Sequence, residues 1–339
     1  MKGMMHILGH PLLPLDISRH AEDSQLFNCW NFCQLMERLE LHYCYYGCPG
    51  SALPAGGCGT LVEISGCGQG PWVYRNLFHK RYNAALETAL RKNAAETRGE
   101  PQWVASMYGV AQSDIAPEGL PVIFEPMAGY GQCWTSCRVF PSNAQRDVIY
   151  ARQPLRRGAC YCDAVIPHFV NPAEYDFSGV PGEYLLFLGR SAFDKGHALA
   201  REAAAAANVP YREVFTGCRG SAKRKLLAGA LAVMMPTLYP EPFGYVAAEA
   251  MLSGTPVLAT AWGAFPEIIR SGVSGWCCAS PGEFVRAARK ARSIRRQGVR
   301  DWALRHFTVD AVAASYRRYL RALSVPPDSA AGRMAWLRL

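Results

Sequence analysis

The 339 residues include 36 Lys and Arg against 27 Asp and Glu, a formal charge of +9; half are apolar and 19% are charged. That balance excludes an intrinsically disordered chain, and the length accommodates two domains of ordinary size. No uninterrupted apolar run reaches the roughly 18 residues a membrane-spanning helix needs, so none is expected.

The chain opens on MKGMMHILGHPLLPLD, which is too short and too soon broken by proline to serve as a signal peptide. It reads instead as a first strand at 5–9. The 13 cysteines are odd in number and follow no secretory signal, so reduced thiols in a cytoplasm are expected. Cys29/Cys33, Cys44/Cys48 and Cys133/Cys137 have three residues between them, and Cys160/Cys162 has one. Zinc sites more often have two, in matched pairs, so buried small hydrophobes are the preferred reading and a structural zinc the alternative.

Hydrophobic runs then alternate with helical patterns, the mark of α/β layering. Strands are expected at 5–9, 41–46, 60–64, 103–107, 122–125 and 164–166, and helices at 27–40 and 82–92. Cys162 to Pro167 closes the first domain, and the polar, turn-rich stretch 175–182 reads as the linker. A buried strand at 184–188 opens the second domain. Gly189-Arg190 and Asp194-Lys195-Gly196 follow, then an alanine-rich helix at 197–207. Strands at 211–215 and 233–235 flank a helix bearing Lys223, Arg224 and Lys225. Gly272 to Trp276 turns into a late strand, and helices at 281–295 and 309–323 end the fold.

The charge is uneven. Residues 1–165 hold 14 basic and 14 acidic residues, so the whole excess lies in 166–339, much of it in 286–300 and 317–321. Those segments fit either a surface that steers an anionic partner or an ordinary solvated helix face.

The most informative stretch is 241–267, EPFGYVAAEAMLSGTPVLATAWGAFPE. Glu241 lies in a loop ended by Pro242-Phe243-Gly244, and Glu249 lies about two turns into the helix that follows. A helix N-terminus offers free backbone N–H groups and partial positive charge, which suits a diphosphate with a carboxylate on either side for hydroxyl groups.

This stretch resembles the donor-site motif of retaining glycosyltransferases of the GT-B fold, especially family 4: E-P-F-G, E-A-M, G-T-P-V, then G-G-x-P-E. Glu241 to Gly244, Glu249 to Met251, Gly254 to Val257, Gly263, Pro266 and Glu267 carry the match, and Ala264 replaces the second glycine of the last element. The resemblance implies two Rossmann-like domains facing each other across a cleft: 1–175 for the acceptor, 176–310 for the nucleotide sugar, and 311–339 as a last helix and tail that crosses back to the first domain. It also implies the site roles. Gly189, Arg190 and Lys195 hold the donor diphosphate; Glu241 meets the sugar hydroxyls; Phe243, Gly244 and Tyr245 line the sugar and phosphates; Glu249 binds the ribose. No Asp-x-Asp occurs, which fits metal-independent transfer. UDP-glucose is the default co-substrate, with no permanently bound cofactor.

The first domain departs from the family, with Gly9-His10-Pro11 in place of the usual glycine pair. Glu125-Pro126, Gly129-Tyr130 and Arg138-Val139-Phe140 resemble the E-P-G-x-G-Y and R-V-F elements of short glycosyltransferases encoded by bacteriophages, with Met127 at the glycine position. Glu125 and His10 are therefore candidate catalytic residues, against structural or local hydrogen-bonding roles; His20 and His79 are weaker candidates. Such phage enzymes imply a hydroxymethylated pyrimidine in DNA, for example 5-hydroxymethylcytosine, as acceptor. Aromatic and basic residues interleave over 72–82, with Arg75, Lys80 and Arg81, and a second basic cluster holds Arg152, Arg156 and Arg157; both suit a DNA backbone. The 72–82 stretch equally fits an amphipathic helix burying Tyr74, Phe78 and Tyr82. A saccharide, lipid-linked or small-molecule acceptor and a catalytically silent sugar-nucleotide or DNA-binding module are the alternatives.

Overall fold

A computed structural model describes residues 2–20, 23–64, 66, 76–97, 99–153, 162–215 and 218–325. These form two compact units. The first takes residues up to Phe140, Ile149–Ile166 and the end of the chain from Ala313; the second takes Pro141–Val148 and Pro167–Val312. After the short excursion at Pro141–Val148, the chain passes into the second unit at Pro167, where the expected boundary was 175/176.

In the first unit, strands β1 (Met4–Leu8), β2 (His42–Gly47), β3 (Gly59–Glu63), β4 (Gln102–Ser106) and β5 (Val122–Phe124) form a parallel sheet in the order β3-β2-β1-β4-β5. Strands β6 (Cys137–Phe140) and β7 (Cys162–Val165) pair with each other, and a bridge from Glu125 to Arg138 joins them to the end of β5. β6 has no counterpart among the strands expected from sequence, because its four residues give too little periodicity to read. Helices α1 (Ile17–His20), α2 (Ser24–Leu39), α3 (Leu77–Glu96) and α4 (Asn143–Arg152) connect these strands, α4 beginning in the second unit and entering the first at Ile149. Asp23 starts α2 by accepting the amides of Gln25 and Leu26 at 2.9 and 3.0 Å, and Asn76 starts α3 by accepting that of His79. Tyr82 is buried on α3 and Phe78 half-buried, while Tyr74 lies outside the described residues. Leu8, Tyr46, Val104, Leu86 and Leu90 pack together in the core.

The second unit repeats the theme. Strands β8 (Tyr184–Leu188), β9 (Tyr211–Val214), β10 (Ala230–Met235), β11 (Val257–Thr260) and β12 (Gly275–Cys278) are all parallel, in the order β9-β8-β10-β11-β12. Every residue of β10 and β11 is buried, as expected of central strands covered by helices on both faces. The helices are α5 (His197–Ala207), α6 (Gly220–Ala228), α7 (Tyr245–Leu252), α8 (Phe265–Ile268), α9 (Pro281–Lys290), α10 (Arg296–His306) and α11 (Val309–Leu323). Ala200, Ala203, Ala204 and Ala207 of α5 pack on Leu185, Phe187 and Phe284; the small side chains let the helix lie close to the sheet.

The single helix expected at 281–295 is instead α9, a short 3-10 turn and a break before α10. The reason is Arg296. Its guanidinium is buried and donates to the carbonyls of Ser178, Ala230 and Ala228 at 2.6–2.7 Å and to Thr255 Oγ1 at 2.5 Å. Part of the basic run 286–300 is therefore core. α11 begins in the second unit and from Ala313 belongs to the first, where the Trp103 indole donates to the Leu320 carbonyl and Tyr319 OH to that of Cys162.

Among the described residues eleven cysteines are free thiols, most of them buried, and burial pushes Cys29 up to about 12. They act as small core hydrophobes, as expected. No described helix is long and apolar enough to cross a membrane.

Candidate functional site

In the second unit the strand order reverses between β8 and β10. Ligands of open parallel sheets bind outside the carboxyl ends of the strands at such a point. The loops that leave these two strand ends carry Gly189, Arg190 and Lys195 on one side and Tyr239 and Glu241 on the other.

Gly196 brings the loops together. It has φ +70°, and a Cβ there would lie 2.0 Å from the Pro236 carbonyl oxygen. Glycine satisfies both the left-handed backbone and the close approach. The Leu238 amide closes the contact by donating to the Asp194 carbonyl at 2.7 Å. Lys195 Nζ then lies 2.7 Å from Glu241 Oε2 and 2.5 Å from Tyr239 OH, and Tyr239 OH donates to the same carboxylate oxygen at 2.8 Å. Of the two Glu241 carboxylate oxygens, only Oε2 has a hydrogen-bond partner among the described residues. Arg190 is 69% exposed, its nearest carboxylate Asp194 Oδ2 at 3.9 Å.

Gly244, at φ 87°, precedes α7 and puts Tyr245 in its first turn. Glu249, on the same helix, is 4% exposed at its side chain. Its Oε1 accepts from Lys223 Nζ at 2.7 Å and Tyr175 OH at 2.9 Å, while Oε2 is buried with no partner. The two glutamates thus share one arrangement: a lysine and a tyrosine hold one oxygen, and the other has no partner among the described residues. Phe243 is buried against His168, Tyr245 and Phe307. His168 stacks on Tyr245 with the rings 3° from parallel, and burial lowers its imidazole to about 3, so it is neutral.

The end of the motif is structural. Gly263, at φ +62°, lies so close to Glu241 that a Cβ would meet its backbone nitrogen at 2.5 Å. Ala264 has φ −74° and donates its amide to the Glu241 carbonyl, so this position does not require glycine. Glu267 accepts the amides of Asn143 and Ala144 at 2.8 Å and so caps α4.

The first-unit candidates are differently disposed. Glu125 is 0% exposed. Its Oε1 accepts from Tyr130 OH, and its Oε2 from the amides of Trp134 and Thr135 and from Thr135 Oγ1, all within 3.1 Å. Burial outweighs these donors and raises the carboxyl to about 7. Both oxygens of Glu125 hold the loop after β5. Met127 has φ 54°, so the left-handed backbone persists at the position where glycine was expected. Arg138, on β6, forms a buried bidentate pair with Asp163.

His10 follows β1 at the first unit's own strand-order reversal, edge-on to Tyr108. Its Nδ1 accepts the amides of Leu12 and Leu13. His79 packs inside, with Nε2 2.5 Å from the Ala111 carbonyl. His20 ends α1. Lys80, Arg81 and Arg152 are exposed, whereas Arg75, Arg156 and Arg157 lie outside the described residues.

Sequence reasoning did not assign Lys223, Tyr175, Tyr239 or His168 to the site. Tyr239 has a local signal, two residues before Glu241; the others converge only through the fold.

The molecule has the GT-B fold. Over 95% of this chain and 98% of the other it superposes with TM-score 0.68 and 21% identity on AviGT4, a glycosyltransferase involved in avilamycin A biosynthesis. It superposes likewise on Anabaena HepE, solved in complex with UDP and glucose, with TM-score 0.62 and 14% identity over 94% and 99% of the chains. Residues 182–293 match the family described as glycosyl transferases group 1. A D-inositol 3-phosphate glycosyltransferase of Mycobacterium avium is 37% identical over 108 residues, 28% of this chain and 25% of that protein. The matches span a quarter or less of the length of the curated relatives.

Proposed function

We propose that the protein is a glycosyltransferase that moves a hexose from a nucleotide sugar to a hydroxyl acceptor with retention. The observation that carries this reading is the pair of half-open glutamates. Glu241 and Glu249 each keep an oxygen for a ligand hydroxyl, and the N-terminus of α7 lies between them in sequence.

Arg190 and Lys195 provide cations for the donor diphosphate. Two of the three Lys195 N–H groups are committed to Glu241 and Tyr239, which leaves one for a phosphate oxygen. Fixed cations and the partial positive charge of a helix N-terminus offset the charge on the leaving diphosphate. The amides near Phe243, Gly244 and Tyr245 suit the phosphates and sugar, Glu241 the sugar hydroxyls and Glu249 the ribose. Because Lys195 and Tyr239 already hold Glu241, a positioning role suits it better than covalent attack. In the front-face route the acceptor oxygen bonds to the anomeric carbon as the bond to the diphosphate breaks, and the departing phosphate takes the acceptor proton.

UDP-glucose is the donor to test first; HepE was solved with UDP and glucose. For the acceptor we infer a hydroxymethylated pyrimidine in DNA, supported by the exposed Lys80, Arg81 and Arg152. A saccharide or small-molecule acceptor is the second reading, favoured by the inositol phosphate in the name of the mycobacterial relative. In both readings His10, ahead of Pro11, is a candidate for acceptor contact.

The test is UDP release from UDP-glucose, with and without DNA containing 5-hydroxymethylcytosine. Release that depends on that DNA, with a matching gain in base mass, supports both donor and acceptor. Release driven instead by saccharide acceptors removes the DNA reading. Absence of release with any nucleotide sugar, in a protein that binds none, overturns the enzyme reading.

A further inference from the structure

The unused oxygen of Glu249 calls for a donor that none of the described residues supplies. Oε1 already has the Lys223 ammonium at 2.7 Å and the Tyr175 hydroxyl at 2.9 Å. Oε2 is buried and unpartnered. A buried carboxylate oxygen without a donor is costly, so structures seldom leave one unless something else fills the place.

The neighbouring donors point elsewhere. Arg224, next to Lys223 on α6, pairs with Asp176 at 3.6 Å. Ser253 Oγ, one turn on along α7, donates to the Glu249 carbonyl at 3.2 Å rather than to its carboxylate. The unpartnered oxygen therefore suits a ligand donor. Charge selects its chemistry: Lys223 already neutralises the carboxylate, so a second ammonium would meet a like charge, whereas a neutral hydroxyl would not. The geometry is also fixed from two directions. Tyr175 reaches Glu249 from the segment after β7 and Lys223 from α6, so the carboxylate cannot turn its open oxygen away without breaking two bonds.

We propose that Lys223 and Tyr175 are positioning residues that make Glu249 a hydroxyl reader, so that the second unit discriminates ribonucleoside from deoxyribonucleoside diphosphates at this carboxylate. The proposal rests on the donor reading above and extends it. That reading assigns the ribose to Glu249; the selectivity is assigned here to the pair that orients it. Neither residue touches the ligand in this scheme.

The experiment is calorimetric titration of the full chain with UDP, 2′-deoxy-UDP and 3′-deoxy-UDP, in wild type, Tyr175→Phe and Lys223→Met. A hydrogen bond from a ligand hydroxyl to a charged group is worth roughly a tenfold preference or more. Wild type is therefore expected to bind UDP roughly tenfold or more tighter than at least one deoxy analogue. In both variants the ratio should fall to about threefold or less, through weaker UDP binding rather than weaker binding of that analogue.

Lys223→Met strands a buried carboxylate and risks instability. Tyr175→Phe removes a single hydrogen bond and keeps the ring, so it carries the test alone if the lysine variant does not fold. Equal binding of all three nucleotides by wild type overturns the proposal, as does an unchanged ratio in Tyr175→Phe; both outcomes leave the donor reading standing. Failure of wild type to bind any of the three overturns the UDP reading and the proposal with it.

Discussion

Glu125 in the first unit and Glu249 in the second are both nearly inaccessible carboxylates. The first spends both oxygens on its own loop: three donors come from Trp134 and Thr135 and one from Tyr130. The second has one oxygen clamped by Lys223 and Tyr175 and one left open. Burial alone does not distinguish these two carboxylates; they differ in how much hydrogen-bonding capacity the described residues leave unspent. The same test sets Glu241, with one free oxygen, apart from Glu267, which caps α4 with both.

The largest contrast between the units should appear in turnover. Replacing Arg190 and Lys195 together with alanine is expected to lower transfer roughly 10⁴-fold, two fixed cations each worth about 10², with an unchanged circular dichroism spectrum. Glu125→Gln should stay within about threefold of wild type. Comparable losses in both would erase the distinction.

Next come two buried groups that titrate in opposite senses. His168 is held near 3 against an ordinary value of 6.5, so its contribution to stability is complete above pH 6.5 and is lost as pH falls towards 3, by about 5 kcal/mol in all. His168→Phe, which keeps the stacking on Tyr245, should flatten that acid limb in denaturant melts taken at a series of pH values. Glu125 is raised from 4.5 to about 7. The unfolded chain therefore ionises first, and stability falls by about 3 kcal/mol as pH rises from 4.5 to 7, then levels off. Glu125→Gln should remove that slope. If either variant keeps the parent slope, its side chain is not the titrating group.

The smallest effect belongs to the motif's last glutamate. Glu267→Ala should cost about 1–2 kcal/mol in thermal melts through the lost cap on α4, while nucleotide affinity stays unchanged. A drop in affinity would move Glu267 from the structural to the ligand-facing class.

Much was legible in the sequence by itself. Alternating apolar runs announced parallel strands between helices, and the expected β1, β2, β3, β4 and β8 fall within a residue of the observed ones, because strand burial writes itself into local composition. The 241–267 motif and the Lys195-Gly196 turn gave the β8 and β10 loops, since a helix N-terminus and a left-handed glycine leave residue-level signatures. What tertiary structure decided has no such local record. Lys223, one of three consecutive basic residues, became the partner of Glu249; Tyr175, assigned to a linker, became its second clamp; Arg296, in a run that reads as surface charge, entered the core on backbone carbonyls. Met127 kept a left-handed backbone without glycine, and Glu125 turned inward. Periodicity is a property of neighbours along the chain. The closure of hydrogen bonds around a buried charge depends instead on which distant segments the sheet brings to one strand end, and only the folded chain fixes that.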